Sequence, residues 1–137
     1  MDKVFVDTNI ILDWLGKRDP HFIWAKELFS KGEEKEIEIL VSTISFINTQ
    51  YILRKQIGKD KAKQTLAAMR TICTVCTGGE KEIDLALVSS FSDFEDAFQY
   101  YSALNNSADV IITRNAKDFK HAGIPIMNAE EFLKSML

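Results

Sequence analysis

The sequence has only two cysteines, two histidines and two prolines among its 137 residues. Cys73 and Cys76 form its one C-x-x-C pair, inside a β-branched stretch. A tetrahedral zinc site needs about four ligands, and a thioredoxin-type pair opens a helix rather than a strand. Both classes of site are therefore disfavoured, and we interpret the two cysteines as buried thiols. The sequence also has no internal repeat and no low-complexity tract, which excludes solenoid and linker-rich architectures.

Long hydrophobic runs are missing as well. No apolar stretch approaches the roughly 18 residues that a bilayer-spanning helix needs, and the N-terminus lacks the pattern of an export signal. We therefore expect a cytoplasmic protein that does not associate with membranes. Hydrophobic residues make up 46% of the chain and charged residues 27%. These values are typical of a globular protein, predicted to form a single domain over residues 1–137.

Positive charge is not in excess, since the formal net charge is −3. This value argues against a protein that coats nucleic acid through charge alone. The charges are nevertheless segregated: residues 54–70 carry six basic side chains against one acidic, and residues 80–96 carry the reverse. Such runs are usually solvated helix faces. The alternative is that the first segment contacts a polyanion while the second holds cations.

Short apolar runs alternate with longer amphipathic ones, which predicts an α/β fold with mostly parallel strands. The predicted strands are 3–6, 37–41, 72–76, 109–113 and 125–127. The predicted helices begin at Asp19-Pro20, lie around 44–51, 59–70 and 79–91, begin at the capping-box pattern Ser92-x-x-Glu95, and end the chain over 130–137.

Polar side chains follow several of these strands. Asp7 comes directly after the first strand, Asn48 lies in the helix after the second, Asp96 opens a later helix, and Asn115 and Asp118 follow the strand at 109–113. Helix capping and dipole compensation explain each one separately. In parallel sheets, however, ligands bind at the carboxyl ends of the strands. Together these oxygen donors predict a site for Mg²⁺ or Mn²⁺, which would offset their mutual repulsion.

Three segments, at 6–9, 94–97 and 109–119, resemble the PIN-domain family in order and spacing. They read Val-Asp-Thr-Asn, Phe-Glu-Asp-Ala and Asp-Val-Ile-Ile-Thr-Arg-Asn-x-x-Asp-Phe. The resemblance implies a three-layer α/β/α sandwich around a central, mostly parallel sheet of four to five strands. It also implies a metal-dependent ribonuclease, commonly a homodimer. Many bacterial members are toxins of VapC-type pairs, which have an antitoxin partner.

The resemblance also implies roles for particular residues. Asp7 and Asp96 match the family's metal ligands, for one or two cations that would activate water for phosphodiester hydrolysis. The residues that would orient this water are Asp118, Asn115 or Asn48. The residues that match the polar support of the pocket are Thr8, Asn9 and Thr113. The basic segment, including Arg54 and Lys55, would position the RNA backbone.

One departure from the family pattern leaves a second interpretation open. The family usually carries glutamate early in the helix after the second strand, where this chain has Asn48. The chain is then either an active nuclease or a catalytically weakened PIN-like module that binds RNA or protein. A phosphoacceptor domain of receiver type is disfavoured because no lysine follows the last strand. A D-x-D phosphatase is disfavoured because Thr8-Asn9 follows Asp7.

Overall fold

The computed structural model describes residues 1–119 and 123–136, in which helices alternate with strands. In chain order the elements are β1 (Asp2–Val6), α1 (Thr8–Leu15), α2 (Phe22–Glu33), β2 (Ile37–Ser42), α3 (Thr43–Ile57), α4 (Lys59–Arg70), β3 (Cys73–Cys76), α5 (Glu80–Leu87), α6 (Phe94–Asn105), β4 (Val110–Ile112), a 3₁₀ turn (Ala116–Phe119), β5 (Ile126–Met127) and α7 (Ala129–Ser135). All five predicted strands are confirmed within one or two residues at each end.

The strands form one sheet in the order β3-β2-β1-β4-β5, and all four pairings are parallel. This confirms the predicted parallel sheet. The chain moves outward from β1 through β2 to β3 and then returns to the other side of β1 with β4. The strand order therefore reverses between β1 and β4, and the carboxyl ends at such a reversal flank a crevice suited to ligands.

Helices cover both faces of the sheet, as the predicted three-layer sandwich requires. Side chains such as Val4 and Ile39 pack with α1, α2, α3, α4 and α7 on one face. Phe5 and Ile111 pack with α6 on the other face, and α5 lies against α6. Burying both faces removes apolar surface from water, the main driving force for the fold. No helix within residues 1–119 and 123–136 has the length and hydropathy to cross a bilayer.

The interpretation of the cysteines is confirmed. Cys73 and Cys76 are both free thiols buried beneath the helices. Burial raises the pKa of Cys73 to about 12 and that of Cys76 to about 11. Because the thiolate is the reactive form, both side chains are inert at neutral pH.

Two predicted helix starts are wrong. The first is Asp19-Pro20: helix α2 begins at Phe22, whose N–H donates to the Arg18 carbonyl at 2.7 Å and closes a turn across these residues. The second is the capping box at Ser92 and Glu95. The N-cap of α6 is Asp93, whose carboxylate accepts from the Asp96 N–H at 3.0 Å. Glu95 is left free to contact another element.

Other boundaries also differ from the prediction. Helix α1 was not predicted, because its consecutive apolar residues, Ile10, Ile11 and Leu12, mask the helical period. Helix α5 ends at Leu87, where the Ser89 hydroxyl donates to the Ala86 carbonyl at 2.8 Å. The last predicted helical residue, Leu137, lies outside the described residues.

Candidate metal-binding site

Asp7 lies at the junction of β1 and α1, beside the end of β4. One carboxylate oxygen accepts from the Thr8 N–H at 2.7 Å, which makes Asp7 the N-cap of α1. The other oxygen accepts from the Thr113 hydroxyl at 2.8 Å. Thr113 is fully buried, and its hydroxyl oxygen accepts in turn from the Asn115 N–H at 3.1 Å. Asp7 is therefore both a helix cap and a fixed group at the predicted edge of the sheet.

A buried polar network holds the start of α1 against α3 and α6. The Thr8 and Ser45 hydroxyl groups lie 2.6 Å apart, and the Gln99 amide donates to Ser45 Oγ at 2.7 Å. The Ser45 N–H donates to Ser42 Oγ at 3.0 Å, which caps α3. Sequence reasoning predicted Thr8 but missed Ser45 and Gln99, because only the packing of three helices brings them together.

Asn9 follows in the first turn of α1. Its side-chain oxygen is buried and has no hydrogen-bond partner among the residues that the structure describes. A buried acceptor without a partner costs free energy. The supporting role predicted for Asn9 stays a prediction.

Four other carboxylates interact electrostatically with Asp96. Loss of solvation raises the pKa of Asp96 to about 7, and the charges of Asp93, Asp7, Asp118 and Glu95 add to this shift. Burial also raises the pKa of Asp7 despite its hydrogen bonds to Thr113 and Thr8, with the Asp118 charge as a further cause. The structure thus places the predicted residues Asp7, Asp96 and Asp118 near enough for their charges to interact, and we call this group the acidic pocket.

The pocket is open rather than a closed cage. Across residues 1–119 and 123–136, no three acidic, histidine or cysteine side chains converge closely enough to enclose a metal ion. Asp118 and Asn115 are exposed on the turn after β4. Any cation held here would therefore keep part of its water shell.

Asn48 points its amide nitrogen at Glu95, with Nδ2 donating to Oε1 at 3.1 Å. A carboxylate only accepts hydrogen bonds, so this contact fixes the orientation of the amide. Loss of solvation raises the pKa of Glu95, as do the charges of Asp93 and Asp7, while the Asn48 bond lowers it. Glu95 was predicted only as a helix cap, so its place beside Asn48 is a finding of the structure.

Arg54 and Lys55 are not brought to the pocket. Both are exposed on α3, six and seven residues beyond Asn48. At 1.5 Å per residue this is about 10 Å further along the helix axis. The Lys55 ammonium lies 4.3 Å from the centre of the Tyr51 ring.

An ion pair with one buried member connects α1 to the segment after β4. Asp13 is completely buried, and its carboxylate accepts two hydrogen bonds from Arg114, at 2.8 and 3.2 Å. The Arg114 charge also lowers the pKa of Asp7. The sequence shows an aspartate after three apolar residues, but it does not reveal a partner 101 residues away.

The pocket makes stability depend on pH. The folded-state pKa of Asp96 is about 7 and its ordinary value is 3.8, so between these pH values the folded chain binds more protons than the unfolded chain. The free energy of unfolding should therefore fall as pH rises from about 4 to about 7. Urea denaturation in EDTA at pH 5.0 and 7.5 measures this decline, and Asp96→Asn should make it smaller. An equal decline in the wild-type and Asp96→Asn proteins would contradict the assignment of the raised pKa to Asp96.

The chain is similar to known proteins along most of its length. A profile of the family described as PIN domain matches residues 3–117. Ribonuclease VapC1 of Aquifex aeolicus is 27% identical over 136 residues, covering 96% of this chain and 93% of that protein.

Solved structures share the fold. VapC20 of Mycobacterium tuberculosis, described as a toxin that cleaves the sarcin–ricin loop, superposes with a TM-score of 0.68 at 21% identity, over 88% of this chain and 95% of that one. VapBC2 of Rickettsia felis, solved with a promoter DNA fragment, gives a TM-score of 0.65 at 18% identity, over 92% of this chain and 97% of that one.

Proposed function

This chain belongs to the PIN domain family, and from that premise we propose that it is a metal-dependent endoribonuclease, the toxin of a toxin–antitoxin pair. The observation that carries the proposal is the acidic pocket at the reversal of strand order, where loss of solvation and the charge of Asp118 raise the pKa of both Asp7 and Asp96. Carboxylates that repel each other at the edge of a sheet favour a bound cation. The similarity to ribonuclease VapC1 supports the reaction type.

The donor set fits Mg²⁺ or Mn²⁺. Every predicted ligand offers oxygen. The side chains whose charges raise the pKa of Asp96 are all aspartate or glutamate. Hard oxygen ligands suit these two ions, whereas zinc prefers nitrogen and sulfur. Because the pocket is open, the ion would keep several waters, as Mg²⁺ commonly does in proteins.

Each residue then has a proposed role. When bound, the cation would activate water and stabilise negative charge on phosphate oxygens. Asp7 and Asp96 would hold it, with Thr113 and the Thr8 N–H fixing the carboxylate of Asp7. Asp118 and Asn115, exposed on the 3₁₀ turn and the loop before it, would orient the attacking water.

The basic residues have a more distant role in this proposal. Arg54 and Lys55 lie too far along α3 to contact the phosphate that is cleaved. They and the exposed lysines of α4 would instead contact flanking phosphates of the RNA, which fix its position without reading sequence. RNA affinity should therefore fall as salt concentration rises.

The proposal includes two protein partners, with residues 1–137 acting as one domain. The first is a second copy of the chain, because α3 and the C-terminal end of α5 with its cap residue expose large apolar side chains: Ile47, Tyr51, Leu87 and Val88 are 58–85% exposed. Exposed apolar patches mark interaction sites in soluble proteins. The second is an antitoxin, suggested by the similarity to the VapBC2 complex of Rickettsia felis.

RNA cleavage measured with and without Mn²⁺ tests the function. Purified protein is incubated with a mixed RNA pool in Mn²⁺, in Mg²⁺ and in EDTA, and the products are separated on a denaturing gel. We expect internal cuts in both metal-containing samples and none in EDTA. RNA binding without cleavage under all three conditions would instead favour the weakened binding module.

A further inference from the structure

The contact between Asn48 and Glu95 connects the second turn of α3 to the first turn of α6, beside the acidic pocket. Asn48 lies on α3, Glu95 lies on α6, and the amide nitrogen donates to the carboxylate at 3.1 Å. Two side chains from different helices are thus held in one orientation at the edge where β1 and β4 end. The contact joins a neutral donor to a charged acceptor, which strengthens the hydrogen bond.

Local helix chemistry does not explain this arrangement. Asp93 already caps α6 through the Asp96 N–H, so Glu95 has no capping task. A glutamate in the first turn of a helix is stabilised by the helix dipole whichever way its side chain points. Here the side chain is instead held against Asn48 of α3, in the same turn of α6 that carries Asp96. The chain therefore keeps a carboxylate beside the proposed metal ligand Asp96, where its negative charge would attract a bound cation.

We infer that Glu95 supplies a further negative charge to the metal pocket and that Asn48 is the residue that positions it. This inference rests on the proposed metal-dependent function. It gives Asn48 a specific task, because an amide can donate to the neighbouring carboxylate and a glutamate at the same place would repel it. The neutral residue on α3 is then paired with an acid on α6, so the pocket does not lack charge.

Glu95 need not touch the ion to act on it. The described residues contain no closed group of three acidic side chains, and an ion in an open pocket keeps water molecules. Glu95 would accept hydrogen bonds from that water shell and add attraction over a short distance. Outer-shell groups of this kind commonly change metal affinity by about 10- to 100-fold.

Calorimetric titration with Mn²⁺, without RNA, tests the inference on the full chain. We expect Glu95→Gln to weaken Mn²⁺ binding by about 10-fold or more, since it removes the charge and keeps the size of the side chain. The matched control is Asp93→Asn, which removes a neighbouring charge and keeps a good N-cap. We expect this control to weaken binding by less than about threefold.

A double-mutant cycle tests the positioning role of Asn48. Asn48→Leu should weaken Mn²⁺ binding several-fold in the wild-type chain and have no further effect in the Glu95→Gln chain, because the two residues act through one contact. Equal effects in both backgrounds would overturn the positioning role. Circular dichroism of each variant verifies that it is folded.

Two outcomes separate this inference from the proposed function. In the first outcome, Asp7→Asn abolishes Mn²⁺ binding, while the Glu95→Gln protein binds Mn²⁺ as tightly as the wild type or the Asp93→Asn control. The inference on Glu95 is then wrong, and the proposed metal site stands. If Asp7→Asn binds Mn²⁺ as tightly as the wild type, the proposed metal site itself is wrong.

Discussion

Replacing Asp7 with asparagine is expected to abolish RNA cleavage while the chain remains folded. Asp7 is the proposed ligand held by the most hydrogen bonds, from Thr8 and Thr113. The loss of an outer-shell group alone costs about 10- to 100-fold, so the loss of a direct ligand should reduce the rate by more than about 100-fold. The measurement is the rate of cleavage of a labelled RNA at saturating Mn²⁺.

The same substitution should hardly change stability. Asparagine is as good an N-cap as aspartate. The neutral side chain also avoids the cost of burying a charge and the repulsion from Asp118. The matched control is Asp2→Asn, which removes an exposed acid from the opposite end of β1. The control should cleave at the wild-type rate. Metal-dependent cleavage by the Asp7→Asn protein near the wild-type rate would contradict the assignment.

The second large effect is expected on stability. Arg114→Met removes the only side chain that forms an ion pair with Asp13 among the described residues, leaving a completely buried carboxylate without its partner. Breaking a buried pair in this way typically costs about 3–5 kcal/mol. Because 32% of the Arg114 side chain is exposed, we expect the lower end, about 3 kcal/mol. Urea denaturation at pH 7.5 measures the loss.

Two further variants show whether the buried charge is the cause. Lys117→Met removes an exposed cation from the same segment and should change stability by less than about 0.5 kcal/mol. The double variant Asp13→Leu with Arg114→Met removes both charges and should recover most of the loss, since apolar residues of similar size often replace buried pairs without cost. Equal losses in the Arg114→Met and Lys117→Met proteins would show that the pair does not stabilise the fold.

The sheet and the place of the site could be predicted from the sequence for one physical reason. Short apolar runs separated by amphipathic helices favour parallel strands, and parallel strands end at a common edge. Asp7 and Thr113 were therefore predicted to lie at the same edge of the sheet once their strands were assigned. The structure adds that they share a hydrogen bond across two neighbouring strands.

The pairings between helices could not be predicted in the same way. Whether Asn48 meets Glu95 depends on the relative rotation of α3 and α6, which the sequence does not specify residue by residue. The same holds for Asp13 and Arg114, which lie on elements 101 residues apart. The local pattern at Ser92 and Glu95 also gave a wrong helix start. Asp93 is the N-cap instead, because its carboxylate accepts a hydrogen bond from the Asp96 N–H.

The central claim is that separate parts of the chain bring Asp7 and Asp96 to one cation. Crystals grown with Mn²⁺ test it most directly, since the anomalous signal of manganese locates the ion independently of the protein atoms. We expect a peak with oxygen atoms of both carboxylates at about 2.1 Å, the distance typical of small hard cations. A fully occupied manganese site elsewhere, with these two carboxylates left without the ion, would contradict the claim.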